Sequence, residues 1–239
     1  MFTQAIKKIL PYKWKRGFKE HLGVPSLRWS LQNLKRKNFN PAVIMDIGAY
    51  EGQWAVDALE VYPDAKILMV EAQPGKTPYL DKIRKRYPTT DYAISLLSGI
   101  DGAILPFVEN ETASHIVGTK EQGIKYKEMA TQTLDVLAAI KQFPLPDLLK
   151  LDVQGHEMEV LKGAKSCLAH ATVCLLEISL LNLGDDSPLL AEMIAFMDQN
   201  GFQAYDISQM MRRPFDNALY QVDVFFVKKD SRLIADKTW

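Results

Sequence analysis

Val43-Ile44-Met45-Asp46-Ile47-Gly48-Ala49-Tyr50-Glu51-Gly52 decides the fold. A short apolar run ends in a turn with glycines at 48 and 52, and a helical pattern follows over 53–62. Strand, tight turn and helix make the first half of a βαβ unit. The same rhythm recurs downstream. Apolar runs at 67–70, 92–97, 148–153 and 173–178 predict strands, and 77–87, 134–142, 157–168 and 189–199 predict helices. Alternation of this kind implies a mostly parallel sheet with helices on both faces, an α/β fold. Two last runs, 203–207 and 221–227, have no helical pattern between them and are expected to pair antiparallel at one edge. Upstream, Ser26 opens a helix that turns Leu27, Leu31 and Leu34 inward.

The stretch 98–133 breaks the rhythm: it is polar and carries Ser114, His115, Gly118 and Gly123. It reads as an irregular lid over the site, since long excursions in compact domains are usually functional. The 239 residues suit one domain with an appendage, divided as a basic helical segment 1–40, a main domain 41–229 and a tail 230–239. At 47% hydrophobic and 24% charged, the composition excludes disordered and fibrous classes. No apolar run approaches the roughly 18 residues of a membrane helix. No secretory pattern is read, and the two cysteines, Cys167 and Cys174, are too few for a disulfide framework. A cytoplasmic protein is expected.

Formal charge is zero but uneven. Residues 1–40 hold seven lysines and three arginines against Glu20, so they carry +9 and the remainder −9. Trp14, Phe18 and Leu22 form a stripe ringed by Lys13, Lys15, Arg16 and Lys19. The expectation is packing on the main domain or, through residues 1–24, peripheral contact with an anionic membrane surface.

Ligands of open parallel sheets bind outside the carboxyl ends of the strands. After the first strand, Gly48-x3-Gly52 lets the backbone approach a ligand, and Asp46 suits a cationic amino-acid group better than a pyrophosphate. Tyr50 replaces the second glycine of the G-x-G-x-x-G dinucleotide fingerprint. This turn alone leaves S-adenosylmethionine (SAM) and other nucleoside ligands open. Glu71, ending the second strand, is placed to accept ribose hydroxyls. Asp152 follows the run 148–151, with Gly155 and a helix beyond it. His156 is a candidate general base, its alternative being an exposed helix-start residue. Glu177 is a fourth acid at a strand end.

The segments Asp46–Gly52, Gln132-Thr133-Leu134-Asp135 and above all 147–164 resemble the FkbM family of SAM-dependent methyltransferases. The third stretch follows that family's Lys-x-Asp-x-(Glu/Gln)-Gly-x-Glu-x-x-x-Leu-x-Gly-Ala signature almost throughout, and the resemblance spans about residues 26–228. It implies a class I methyltransferase (Rossmann-like) three-layer sandwich. Its sheet would have seven strands with the last antiparallel, here preceded by N-terminal helices. It implies methyl transfer from SAM to a sugar, glycan or other small-molecule acceptor. Carried over by position, Asp46, Gly48, Ala49 and Gly52 match the methionine-binding turn, Glu71 the ribose acid, and Asp152 the acid over the transferred methyl. Ser98 stands near the expected adenine contact, with Asp101 displaced from the family's acid.

Methyl transfer to a hydroxyl needs help with its proton. Asp152 is the expected orienting or deprotonating group, with His156 or Glu177 as alternative bases. The acids would also suit Mg²⁺. Competing readings are a nicotinamide-dependent oxidoreductase and a non-catalytic SAM-binding module. A nucleic-acid methyltransferase is disfavoured because no Asn-Pro-Pro-Tyr-like motif is present.

Overall fold

The computed structural model describes residues 26–117, 125–183 and 187–238. The basic stripe of residues 1–24 therefore lies outside the described residues, as do 118–124 of the polar excursion. The main sheet has seven strands in the order β3-β2-β1-β8-β9-β11-β10. These are β1 Val43–Ile47, β2 Lys66–Glu71, β3 Thr90–Ile94, β8 Leu148–Leu151, β9 Val173–Ser179, β10 Phe202–Arg212 and β11 Leu219–Lys228. β1, β2, β3, β8 and β9 run parallel, and β11 is antiparallel to both β9 and β10. The expected antiparallel last strand is thus present.

Strand alternation sends successive side chains to opposite faces. Met45, Leu68, Leu149 and Leu176 pack on one face with α4 Leu134–Lys141, α5 Glu157–Lys162, α6 Lys165–His170 and α7 Leu190–Gln199. Ile44, Ile67, Leu148 and Leu175 pack on the other with α1 Leu27–Arg36, α2 Gln53–Val61 and α3 Thr77–Arg86. The result is a three-layer α/β sandwich. The Ser26 hydroxyl caps α1, accepting from the Trp29 amide, and Leu31 and Leu34 of α1 are fully buried. Leu233, in the turn Arg232–Ile234, is buried in the same layer.

Three local expectations need correction. The expected strand 92–97 divides at Ser95: β3 stays in the main sheet, while β4 Leu96–Leu97 pairs with β7 Lys127–Gln132. The excursion 98–133 is not irregular throughout. β5 Ile104–Val108 pairs antiparallel with β7 and with β6 His115–Ile116, giving a four-stranded second sheet. Its strands are short and β5 carries Pro106, so no clean alternation marks them. The expected helix 157–168 breaks at Gly163-Ala164, and the chain at Gly163 passes the Ser98 carbonyl too closely for any side chain: a Cβ there would lie 2.4 Å from that oxygen.

Candidate active site

The chain runs outward from β1 to β2 and β3, then returns to β8 on the other side of β1. This reversal of strand order leaves a crevice at the carboxyl ends of β1 and β8. A cavity of about 370 Å³ lies there, within the size range of small-molecule sites. Gly48, Glu71, Asp152, His156 and Glu177 line it, five of the residues expected from sequence.

The turn after β1 is built by close approach. Gly48 and Gly52 adopt φ of +73° and +77°, and a Cβ on Gly48 would sit 1.7 Å from the Asp152 carbonyl oxygen. Gly48 and Ala49 donate their amides to the Val70 carbonyl. Tyr50, also left-handed at φ 49°, donates its amide to Glu71 at 2.7 Å, and the Gln73 amide donates to the same carboxylate at 2.9 Å. Glu71 is thereby fixed at the cavity wall with lone pairs remaining for a ligand.

Asp46 is placed differently from its sequence reading. It is fully buried within β1, facing Lys150, its register partner on β8, at 2.9 Å. The contact is a buried ion pair between Lys150 Nζ and Asp46 Oδ1. Lys150 also donates to the Gly48 carbonyl at 2.9 Å and lies 3.7 Å from Asp152. Burial opposes the ammonium's charge, yet Asp46 and Asp152 hold its pKa above the ordinary value. Burial pushes Asp46 upward, with Lys150 pulling against it. A cation of the protein itself thus meets Asp46. Sequence reasoning assigned Lys150 no role; a lysine inside Leu-Leu-Lys-Leu is the signal that could have found it, because a charge in an apolar strand requires a partner.

Asp152, Gln154 and Glu177 form a bridged group. The Gln154 side-chain amide donates to Asp152 at 2.9 Å and to Glu177 at 2.7 Å. Burial and the neighbouring Asp152 raise Glu177 to about 10, so it holds a proton at neutral pH. Burial would raise Asp152 too, but Lys150, with hydrogen bonds from Glu177 and Gln154, keeps it below the ordinary carboxylate range. One carboxyl is neutral and its neighbour ionised, the usual result when two acids share a site. Glu177 lies inside β9, two residues before its end, opposite Asp223 of β11, which burial and Asp152 raise to about 6. The His156 ring nitrogen Nε2 lies 2.9 Å from the Ser98 hydroxyl, and burial lowers its pKa, so the ring is neutral. Ser98 therefore contacts His156, while Ser95, Leu96 and Leu97 line the cavity at that level. Asp101 accepts from the Thr133 amide at 2.7 Å and serves the start of α4.

The excursion contributes a strap that sequence reasoning did not resolve into residues. The Tyr50 hydroxyl donates to Glu111 at 2.5 Å, Lys76 reaches the same carboxylate oxygen at 2.6 Å, and Gln73 Nε2 donates to the Glu111 carbonyl at 3.0 Å. Lys76 also sits 3.9 Å from the Tyr50 ring centroid, a cation–π contact. Among the described residues, no group of three or more His, Cys, Asp or Glu has an arrangement suited to a metal ion. Among them too, no helix is long and apolar enough to cross a membrane.

A seven-stranded sheet with its antiparallel β11 inserted beside the edge, and a glycine turn and strand-end acids at the crevice, define the class I methyltransferase architecture. The chain belongs to the methyltransferase FkbM domain family, whose profile matches residues 46–204. It is similar to the hexuronic acid methyltransferase AglP of Haloferax volcanii, 29% identical over 142 residues that cover 57% of this chain and 55% of that protein. The chain thus spans about half the length of the curated relative it matches. Two solved structures are similar in fold. One is methyltransferase FkbM from Methylobacillus flagellatus, at TM-score 0.47 and 13% identity, covering 77% of this chain and 43% of that one. The other is precorrin-6y C5,15-methyltransferase from Geobacter metallireducens, at 0.46 and 12%, covering 82% and 85%.

Proposed function

We propose that the protein is a SAM-dependent O-methyltransferase acting on a hydroxyl of a sugar, glycan or related small molecule. The observation that carries this reading is the cavity at the strand-order reversal, lined by Gly48, Glu71 and the ionised Asp152. The group fits: Glu71 has lone pairs free for ribose hydroxyls, and a carboxylate-lined wall suits a cationic sulfonium. Family membership and the sugar-directed relative support the acceptor class. When bound, SAM supplies an electrophilic methyl, which bonds to the acceptor oxygen as its bond to sulfur breaks and S-adenosylhomocysteine departs.

The chain's part is position and charge control. Asp152 orients the acceptor hydroxyl and takes its proton. It is a weak base, but the hydroxyl becomes strongly acidic as the oxygen–carbon bond forms, so a weak base suffices at that stage. Glu177 already carries a proton and serves Asp152 as a hydrogen-bond donor. His156, neutral and held by Ser98, is the alternative base. Mg²⁺ is not called for to hold these acids together, because Lys150 already faces Asp46 and Asp152 and Glu177 carries a proton, which leaves a single negative charge at Asp152. Asp46 supports the site through Lys150. The basic segment 1–24 is assigned to peripheral contact with an anionic membrane surface, which liposome binding by the full chain, lost on deleting residues 1–24, would test. For the enzymatic reading, labelled SAM is incubated with the protein and a glycan or lipid-linked sugar extract. Label in carbohydrate supports methyl transfer; SAM binding with no transfer favours a binding module; NAD binding instead favours an oxidoreductase.

A further inference from the structure

We infer that Met211, Tyr220 and Gln221, beside Glu177, form the acceptor subsite, and that this subsite takes an uncharged sugar ring by its apolar face. The inference rests on the methyltransferase reading and narrows its substrate. β9 ends at Ser179, where it pairs with Gln221. β10 and β11 continue past that point, pairing Met211 with Gln221 and Arg212 with Leu219. The hairpin therefore rises beyond the strand ends on the cavity side, and Met211, Tyr220 and Gln221 line the cavity there. The Tyr220 hydroxyl rests 3.8 Å from the Met211 sulfur, and the Leu180 amide donates to the Tyr220 carbonyl at 2.8 Å, which fixes the backbone at this position.

Strand order fixes what lies where. Glu71, Gly48, Asp152, Glu177 and Gln221 stand at the cavity ends of β2, β1, β8, β9 and β11, which are consecutive neighbours. At about 4.8 Å per strand, Glu71 and Asp152 stand roughly 10 Å apart, and Asp152 and Gln221 roughly another 10 Å. A nucleoside anchored at Glu71 places its reacting end toward Asp152. The span from Asp152 to the hairpin then remains for the acceptor, about the width of one sugar ring. Tyr220 offers that ring an aromatic face, on which sugar C–H groups pack well, and Gln221 offers an amide for hydroxyls. Charge sets the selectivity. Asp152 is ionised beside this span, and a uronate carboxylate brought into it would meet a like charge at short range. The subsite therefore differs in preference from what the name of the hexuronic acid relative suggests.

The test uses the full chain loaded with S-adenosylhomocysteine and titrated with neutral methyl glycosides and with the matching methyl glucuronides, followed by saturation-transfer NMR. Neutral glycosides should bind at least about tenfold tighter than the glucuronides. Tyr220→Ala should weaken neutral glycosides about tenfold or more, while Tyr220→Phe stays near wild type, and S-adenosylhomocysteine affinity should hold within about twofold in both. Tighter glucuronide binding, no glycoside binding, or equal sugar binding by Tyr220→Ala would each overturn the subsite while leaving methyl transfer intact. Failure of the wild type to bind S-adenosylhomocysteine would overturn the methyltransferase reading and this inference with it.

Discussion

Asp46 and Lys150 are cross-strand partners in the middle of the sheet, their charges 2.9 Å apart and both sealed from solvent. Lys150 extends the pair to the Gly48 carbonyl and to Asp152, so one buried cation ties the strand, the glycine turn and the Asp152 carboxylate together. Breaking a buried pair leaves an uncompensated charge. Asp46→Leu or Lys150→Met alone should lower stability by about 3–5 kcal/mol in urea unfolding. The double variant should recover much of that loss without recovering activity, because Asp152 has lost its cation. Additive losses in the double variant would contradict the pairing.

Glu177 gives a pH signature. Its ordinary value of 4.5 rises to about 10 in the folded protein, so the folded state keeps a proton that the unfolded state releases. Its stabilising contribution is complete below pH 4.5 and declines as pH climbs toward 10. Asp152, shifted downward, loses its contribution only below its ordinary 3.8, outside this window. Glu177→Gln should therefore be more stable than wild type at pH 9 and close to it at pH 5, by urea midpoints. Parallel curves for the two proteins would show that Glu177 is ionised.

Gly48 and Gly102 share a φ of +73° but differ in surroundings. A Cβ on Gly48 meets the Asp152 carbonyl at 1.7 Å, whereas one on Gly102 meets nothing within 4 Å. Gly102→Ala should cost about 1 kcal/mol, the left-handed penalty alone. Gly48→Ala should cost about 3 kcal/mol or more, since β1 and β8 must separate. Equal losses would mean that close approach plays no part.

Much of this was legible in the sequence, for identifiable reasons. Fully buried parallel strands read as apolar runs, so β1, β2, β8 and β9 stood out, and turns at their ends pointed to Gly48, Glu71 and Asp152. Glu177 was legible as an acid closing an apolar run. The second sheet was not legible, because β4 and β6 have two residues each and acquire strand form only by pairing with β7 and β5. Glu111 and Tyr220 were hidden for a related reason: Glu111 reaches Tyr50 across 61 residues, and Tyr220 enters the cavity only because the β10–β11 hairpin outruns β9. Asp46 was legible as important, but its neighbour Lys150 was not, since that neighbour is set by register rather than by sequence spacing.

Chelation probes the charge arrangement. With Lys150 facing Asp46 and Asp152, a millimolar chelator should leave the methyl-transfer rate within about twofold. A loss restored by Mg²⁺ would show that a cation joins the acids during turnover.

Glu71 separates binding from chemistry. Its carboxylate holds the Tyr50 and Gln73 amides and faces the cavity, so Glu71→Ala should weaken SAM by about tenfold to a hundredfold in calorimetry. Unchanged affinity would remove it from the cofactor site.

The most direct measurement follows labelled methyl from SAM into a sugar acceptor, with alkali treatment to distinguish ethers from esters. Wild type should transfer alkali-stable label, and Asp152→Asn should lose about a hundredfold or more in kcat while still binding SAM. Alkali-labile label would mean carboxyl methylation, and full turnover by Asp152→Asn would contradict the role given to the ionised carboxylate at the end of β8.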